Sequence, residues 1–285
     1  MSEIIVACAQ EQEVTEIARR RWPDSESGRL YLHLAAVAPN GAWVARDDGT
    51  VVGIAIAHAL EMEWYLSDLY VEPSFRGQGL GRRLLAEAAK EAGDVTRSGF
   101  LDPAELGAIA FFARRRVPAR TPILRIGGRI PKEEQLASLA AGAHRFQTDP
   151  LDPLRHRFAL DALDRETRGS ARHDDHLYFA SNANGSVFSI NGEVVGYAYV
   201  WPDGTIGPLA SASPSYVVPF FAFGMVTLAR AQGASWCRAL VPAVNARVAY
   251  AASDVGLKIE GVNLFASDSE MMDLSRYIGY HPLLF

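Results

Sequence analysis

The chain has 285 residues, of which 49% are hydrophobic and 21% are charged, a composition typical of soluble globular proteins. This length exceeds one typical domain and suits two domains of roughly 100–200 residues each. The net charge of −5 argues against a nucleic-acid-binding protein, and the longest apolar run, at 216–229, falls short of the ~20 residues that span a bilayer. The two cysteines lack metal-ligand spacing, so we expect reduced thiols, no metal and a cytoplasmic location.

The first half alternates between predicted helices and strands. Residues 49–56 follow a short β-branched run, and the turn that precedes them ends in Gly49, which predicts a β-hairpin. Helical patterns cover residues 12–21, 79–91 and 105–116, and a third strand covers residues 64–71. This order predicts an α/β domain.

The second half repeats the first. Residues 192–199 read almost identically to residues 49–56, and they follow the turn Asn191-Gly192, which predicts a second hairpin. The other predicted elements of this half are a helix at 153–164 before the hairpin and, after it, a strand at 205–209 and helices at 217–231 and 245–255. We assign His173 and His176 to a polar loop and give neither a role.

The repeat predicts a duplicated α/β fold. Its first copy covers residues 1–130 and its second copy covers residues 142–285. A helical pattern at residues 131–141, ending in the turn-prone Ala141-Gly142-Ala143, predicts the connector between the two domains.

A glycine-rich segment follows the strand at 64–71. It reads Arg76-Gly77-Gln78-Gly79-Leu80-Gly81 and leads into an amphipathic helix. Glycines let a backbone approach an anion closely, and the amides at a helix N-terminus point toward it. The segment lacks the Gly-Lys-Ser/Thr of a Walker loop and follows an internal strand, unlike a dinucleotide fingerprint. It therefore predicts a phosphate-binding loop.

Residues 65–81 resemble motif A of the GNAT acetyltransferase superfamily, which has the form Arg/Gln-x-x-Gly-x-Gly/Ala after a strand. The resemblance covers about residues 3–130. It implies two tandem GNAT folds, each a mixed, mostly antiparallel sheet flanked by helices, with acetyl-CoA as co-substrate. It assigns CoA binding to Leu69, Tyr70, Val71, Arg76, Gly77, Gln78, Gly79, Leu80, Gly81 and Arg82. In this assignment the loop amides hold the pyrophosphate and the strand residues pair with the pantetheine arm. For Arg82, attraction of the CoA phosphates and a solvated helix face stay open as alternatives.

The residues that family members often use as base and acid differ in this chain. Ser67 stands where the family carries a Glu, and Phe112 stands where it carries a Tyr. The remaining candidates for catalysis are Glu63, Tyr65 and Asp68. For Asp68 the alternative is a partner of the backbone or a neighbouring strand, and for Glu63 it is a solvated turn.

The second copy lacks the phosphate loop. Residues 210–224 contain no Arg-x-x-Gly-x-Gly, while two prolines remove amide donors there and three phenylalanines fill space. Residues further along, from Asn245 to Leu257, still resemble the GNAT pattern. The resemblance therefore implies a tandem bacterial GNAT protein with a degenerate second domain that packs on the first and completes its acceptor site.

Three functions are compatible with the sequence. The first is an N-acetyltransferase that transfers an acyl group from acyl-CoA to a small amine or amino compound. The second is a catalytically silent CoA-binding or sensing protein, and the third is a structural interaction protein. The sequence predicts neither the acceptor nor the oligomeric state, because acceptor pockets are built by variable elements.

Overall fold

A computed structural model describes residues 4–21, 25–38, 40–90, 92–140, 145–231, 233–268 and 272–285. By its internal contacts the chain divides into two compact units, unit 1 at Met1–Phe100 and unit 2 at Leu101–Phe285. The predicted turn at 141–143 lies outside the described residues. Within the described part of the chain, no helix combines the length and the apolar character that crossing a membrane requires.

Unit 1 is a five-stranded sheet with helices on both faces. Its elements are β1 (Ile5–Cys8), α1 (Glu11–Arg21), α2 (Ser25–Val37), β2 (Ala42–Asp47), β3 (Thr50–Ala59), β4 (Glu63–Val71), α3 (Leu80–Ala88) and β5 (Thr96–Leu101). The strands lie in the order β1-β2-β3-β4-β5, antiparallel except for the parallel pair β4–β5. The predicted hairpin is confirmed as β2–β3. Its turn residues Asp48 and Gly49 have φ of 48° and 79°, as a type I′ turn requires.

Unit 2 carries the remaining elements. They are α4 (Leu106–Ala113), β6 (Ala119–Arg129), α5 (Glu133–Leu139), β7 (Gln147–Pro150), α6 (Arg157–Arg168), α7 (His173–Asn182), β8 (Asn184–Ile190), β9 (Glu193–Val200), β10 (Ile206–Ser211), α8 (Val217–Ala231), β11 (Trp236–Pro242), α9 (Ala246–Asp254), β12 (Lys258–Ser267) and β13 (Tyr277–Ile278). One antiparallel group of strands is β12-β6-β11 and a second is β13-β10-β9-β8-β7. The second predicted hairpin is confirmed as β8–β9, with Asn191 and Gly192 at φ of 52° and 85°.

Strand β6 connects the two sequence repeats. The sequence prediction places it at the end of the first domain, yet it pairs along its length with β11 and β12 of the second repeat. The contact boundary therefore falls at residue 100 and not near residue 130. The predicted connector helix is α5, and its Leu136 is buried in the same core as Phe220 and Met225 of α8.

A buried polar cluster joins α6, α7 and β9, which corrects the prediction of a loop at His173 and His176. His176 lies on α7, where Nε2 is 2.8 Å from Asp164 Oδ2 and Nδ1 is 3.0 Å from the Tyr199 hydroxyl. The Tyr197 hydroxyl donates to the other Asp164 oxygen at 2.5 Å. Because the polar residues of α7 face inward and pair there, its sequence lacks the apolar stripe from which helices are predicted.

Candidate functional site

Strand β4 changes its pairing halfway along its length. Its first four residues, Glu63 to Leu66, pair with β5, and the β4–β5 ladder ends there. Pairing with β3 continues to Val71, with a β-bulge at Ser67. The second half of β4 therefore has one edge that β5 does not cover.

The alternation of hydrogen bonds decides which groups face that open edge. Just beyond β4, the Glu72 amide donates to the Val52 carbonyl of β3 at 2.9 Å. Hydrogen bonding alternates along an antiparallel strand, so the main-chain groups of Val71 and Leu69 face away from β3. In agreement, Arg76 Nε reaches the Val71 carbonyl from the other side and donates to it at 3.0 Å. The open edge thus presents main-chain groups where the resemblance places pantetheine.

The glycine loop lies between β4 and α3 in unit 1. Gly77 and Gly79 adopt left-handed backbone with φ of 79° and 80°, which explains why glycine is favoured at both positions. A Cβ at either position would meet no atom within 4 Å, so the loop surface is open. A Cβ at Gly81 would lie 3.7 Å from the Val71 side chain, an ordinary contact.

The N-terminus of α3 supplies amide donors at this loop. The first bonds of the helix run from the Arg82 and Arg83 amides to the Gly79 carbonyl, both at 3.1 Å. The amides of Leu80 and Gly81, which precede them, have no partner within the helix by geometry. Together with the helix dipole they favour an anion at this end.

The charged and polar side chains of the loop are exposed and form local contacts. Gln78 Nε2 donates to the Ser74 carbonyl at 3.4 Å, and Arg83 donates to the Ile4 carbonyl at 3.1 Å. Arg82 is exposed on α3, and Leu80 is buried beneath the loop. The positive side chains around the loop attract a phosphate group, but they do not determine which phosphate compound binds.

Asp68 is held by two elements on the face of the sheet opposite α3. Its Oδ2 accepts hydrogen bonds from the Arg21 guanidinium of α1 and from the Tyr31 hydroxyl of α2. Burial raises the pKa of Asp68, while the charge of Arg21 and hydrogen bonds from Arg21 and the Leu69 amide oppose that shift. Arg21 and Tyr31 were missed by sequence reasoning, because nothing local marks residues that meet only in the fold.

The other two candidates, Glu63 and Tyr65, lie in the first half of β4. Glu63 is buried at the start of the strand, where its carboxylate accepts a hydrogen bond from Ser98 of β5, so it is not a solvated turn. Tyr65 is buried and lies opposite Ser98 in the ladder. The Tyr70 ring lies under the Arg21 guanidinium, with 4.3 Å from Arg21 Cζ to the ring centroid.

In unit 2, Phe112 and Phe220 pack into apolar cores. Phe112 of α4 packs against the buried pair Leu101 and Val117, and its ring has no proton to donate. At the start of α8, Phe220 stacks on Phe188 with 3.8 Å between ring centroids. This stack lies in the buried core that α8 forms with β8.

Comparison with known proteins identifies part of the chain. Residues 10–116 match the model of the acetyltransferase (GNAT) family. These residues belong to the GNAT family. A search of the curated proteins found no match. The GNAT match extends past the contact boundary at residue 100 into unit 2 and includes α4.

Solved GNAT structures resemble the whole chain. A protein from Pyrococcus horikoshii, provisionally described as an acetyltransferase, is 14% identical with a TM-score of 0.76, and the match covers 100% of this chain and 97% of that one. A tandem GNAT protein from the clavulanic acid biosynthesis pathway is 16% identical, with a TM-score of 0.60 and coverages of 93% and 97%. A GCN5-related N-acetyltransferase from Sphaerobacter thermophilus is 14% identical, with a TM-score of 0.59 and coverages of 94% and 96%. At these identities the likeness concerns the fold, and it confirms the predicted tandem GNAT architecture.

Proposed function

We propose that the chain is an acetyl-CoA-dependent N-acetyltransferase that acts on a small amine or amino compound. The observation that carries the proposal is the proximity of two features in unit 1. The open edge of β4 at Leu69 and Val71 leads directly into a loop whose amides, at Gly79 to Gly81, have no helical partner. A thioester with a pyrophosphate arm matches both features, the arm along the strand and the phosphates at the helix N-terminus.

The chemistry needs little from ionisable side chains. The neutral amine attacks the thioester carbon, and a main-chain amide of the open edge, that of Leu69 or of Val71, stabilises the developing oxyanion. The C–S bond then breaks, the thiolate leaves with the electron pair, and the surplus amine proton passes to water. Holding the two substrates together supplies much of the rate enhancement.

The identity of the group that removes the amine proton is also a proposal. We assign deprotonation to water held by Asp68, Glu63 or Tyr65 on β4. Because Arg21 and Tyr31 already donate to Asp68, the structure favours a positioning role for this carboxylate over direct proton removal. Alkyl amines have a pKa near 10, so the rate should keep rising through pH 8–9 as the neutral amine becomes more abundant.

Two observations also support the second candidate function, a silent CoA-binding or sensing protein. Asp68 already accepts hydrogen bonds from Arg21 and Tyr31, and the Phe112 ring has no proton to donate. One experiment separates the two functions. Acetyl-CoA is incubated with n-propylamine, putrescine, ethanolamine or glucosamine, and acylated product is measured by mass spectrometry. Acylated amine formed in proportion to enzyme supports the transferase, whereas CoA binding without product from any amine between pH 7 and 9 supports the silent alternative.

We propose further that the second repeat is a degenerate GNAT domain that binds no CoA. The segment between β10 and α8 supports this assignment, because residues 212–216, the counterpart of the loop after β4, contain no glycine and include Pro214, which has no amide to donate. One acyl-CoA should therefore bind per chain.

A further inference from the structure

Ser67 carries a buried hydroxyl that the protein does not pair. The residue is only 8% exposed, and among the described residues its Oγ has no hydrogen-bond partner. Burying an unpaired hydroxyl destabilises a fold, so such groups are rare in native proteins and call for an explanation. By contrast Ser98, which is also buried, donates its hydroxyl to the Glu63 carboxylate.

The position of Ser67 on β4 is as unusual as its hydroxyl. Leu66 lies opposite Ala57 of β3 and Asp68 lies opposite Ile56, so Ser67 is the extra residue of a β-bulge. Leu66 is also the last residue of β4 that pairs with β5. Bulges of this kind are frequent next to active sites, where they redirect a side chain. Ser67 therefore stands where the open edge of β4 begins.

Building on the proposed function, we propose that Ser67 Oγ accepts a hydrogen bond from an N–H of the acceptor amine. A hydroxyl has two acceptor lone pairs, and a neutral primary amine can donate one N–H while its lone pair attacks the thioester carbon. The C–N bond forms as the C–S bond breaks, the thiolate takes the electron pair, and the surplus proton passes to water. Ser67 orients the amine and does not remove its proton, because a serine hydroxyl stays protonated near neutral pH. The hydroxyl hydrogen rotates to suit its surroundings, so the oxygen can present a lone pair to the amine.

The variant Ser67→Ala distinguishes this role from a structural one. Removing a hydroxyl that has no partner should leave the urea midpoint of unfolding unchanged or higher. The kcat/KM for the panel amines should fall about tenfold, as expected for one lost hydrogen bond. The affinity for acetyl-CoA, measured by calorimetry, and the shape of the pH–rate profile should not change. Ser98→Ala is the matched control for stability, and it should lower the urea midpoint because its hydroxyl has a partner.

Each outcome decides the assignment. A lower urea midpoint for Ser67→Ala would show that the hydroxyl is structural, and an unchanged kcat/KM for every panel amine would show that it does not contact the acceptor. A loss of acetyl-CoA affinity would move Ser67 to the other substrate and overturn the proposal as well. If the wild-type chain binds acetyl-CoA but acylates none of the amines, the transferase function itself fails, and the role of Ser67 fails with it.

Discussion

Replacing Gly79 by Asn tests the phosphate loop at little expense to the fold. Gly79 has a φ of 80°, a left-handed conformation that Asn tolerates better than most residues. The added Cβ would meet no atom within 4 Å, so the side chain extends into the open surface of the loop. We expect the variant to fold, with a loss of about 1 kcal/mol in the free energy of unfolding.

The effect on acyl-CoA binding should be much larger. Hydrogen bonds to charged groups contribute about 1.5–3 kcal/mol each. A side chain at Gly79 that displaces the pyrophosphate from two amides should therefore weaken binding by about 3–6 kcal/mol, which is a hundredfold or more. Isothermal calorimetry with acetyl-CoA measures this loss directly.

A control variant makes the result specific. Gly49→Asn introduces the same residue at a φ of 79° with equally open surroundings, but in the β2–β3 turn. It should bind acetyl-CoA like the wild type. Equal affinity of Gly79→Asn and Gly49→Asn, with both folded, would refute the assignment of the pyrophosphate to this loop.

Three further perturbations test unit 2. Asp164→Ala leaves its buried donors without an acceptor, so it should lower the free energy of unfolding by about 3 kcal/mol in urea titrations. The control Asp174→Ala removes an exposed carboxylate of α7 and should cost under about 1 kcal/mol. Equal losses would contradict the buried cluster. Burial and the nearby Glu260 charge raise the pKa of Cys237 from 9.0 to about 12. Between these two values the Cys237 thiol stays protonated in the folded chain but ionises in the unfolded chain. Stability should therefore fall above pH 9 by up to about 1.4 kcal/mol per pH unit more than in Cys237→Ala, and parallel pH curves would disprove this. A fragment of residues 1–130 leaves β6 without its partners β11 and β12. It should therefore bind acetyl-CoA weakly and bind ANS, a dye that reports exposed apolar surface. Full acetyl-CoA affinity without dye binding would contradict this prediction.

Local signals in the sequence were sufficient to predict much of the fold. Asp48-Gly49 and Asn191-Gly192 fix the two hairpins, because type I′ turns need positive φ at both central residues. The glycines of the loop at 76–81 likewise mark a left-handed backbone before a helix. These signals depend only on neighbouring residues, so they can be read without knowing the tertiary structure.

Features that depend on distant residues were not predictable. Arg21 and Asp68 are 47 residues apart in the sequence, and neither has a local pattern that announces their ion pair. The inward-facing polar residues of α7 gave that helix the appearance of a loop, because His176 is buried through a partner on α6. The pairing of β6 with β11 and β12 is also invisible to a repeat analysis, since it crosses the repeat boundary.

The central claim is that one acyl-CoA binds per chain, at the loop between β4 and α3. Calorimetric titration of the full chain with acetyl-CoA tests it most directly. The account predicts a stoichiometry of one site per chain, with binding lost in Gly79→Asn. Two equivalent sites, or one site that persists at full affinity in the folded Gly79→Asn variant, would contradict it.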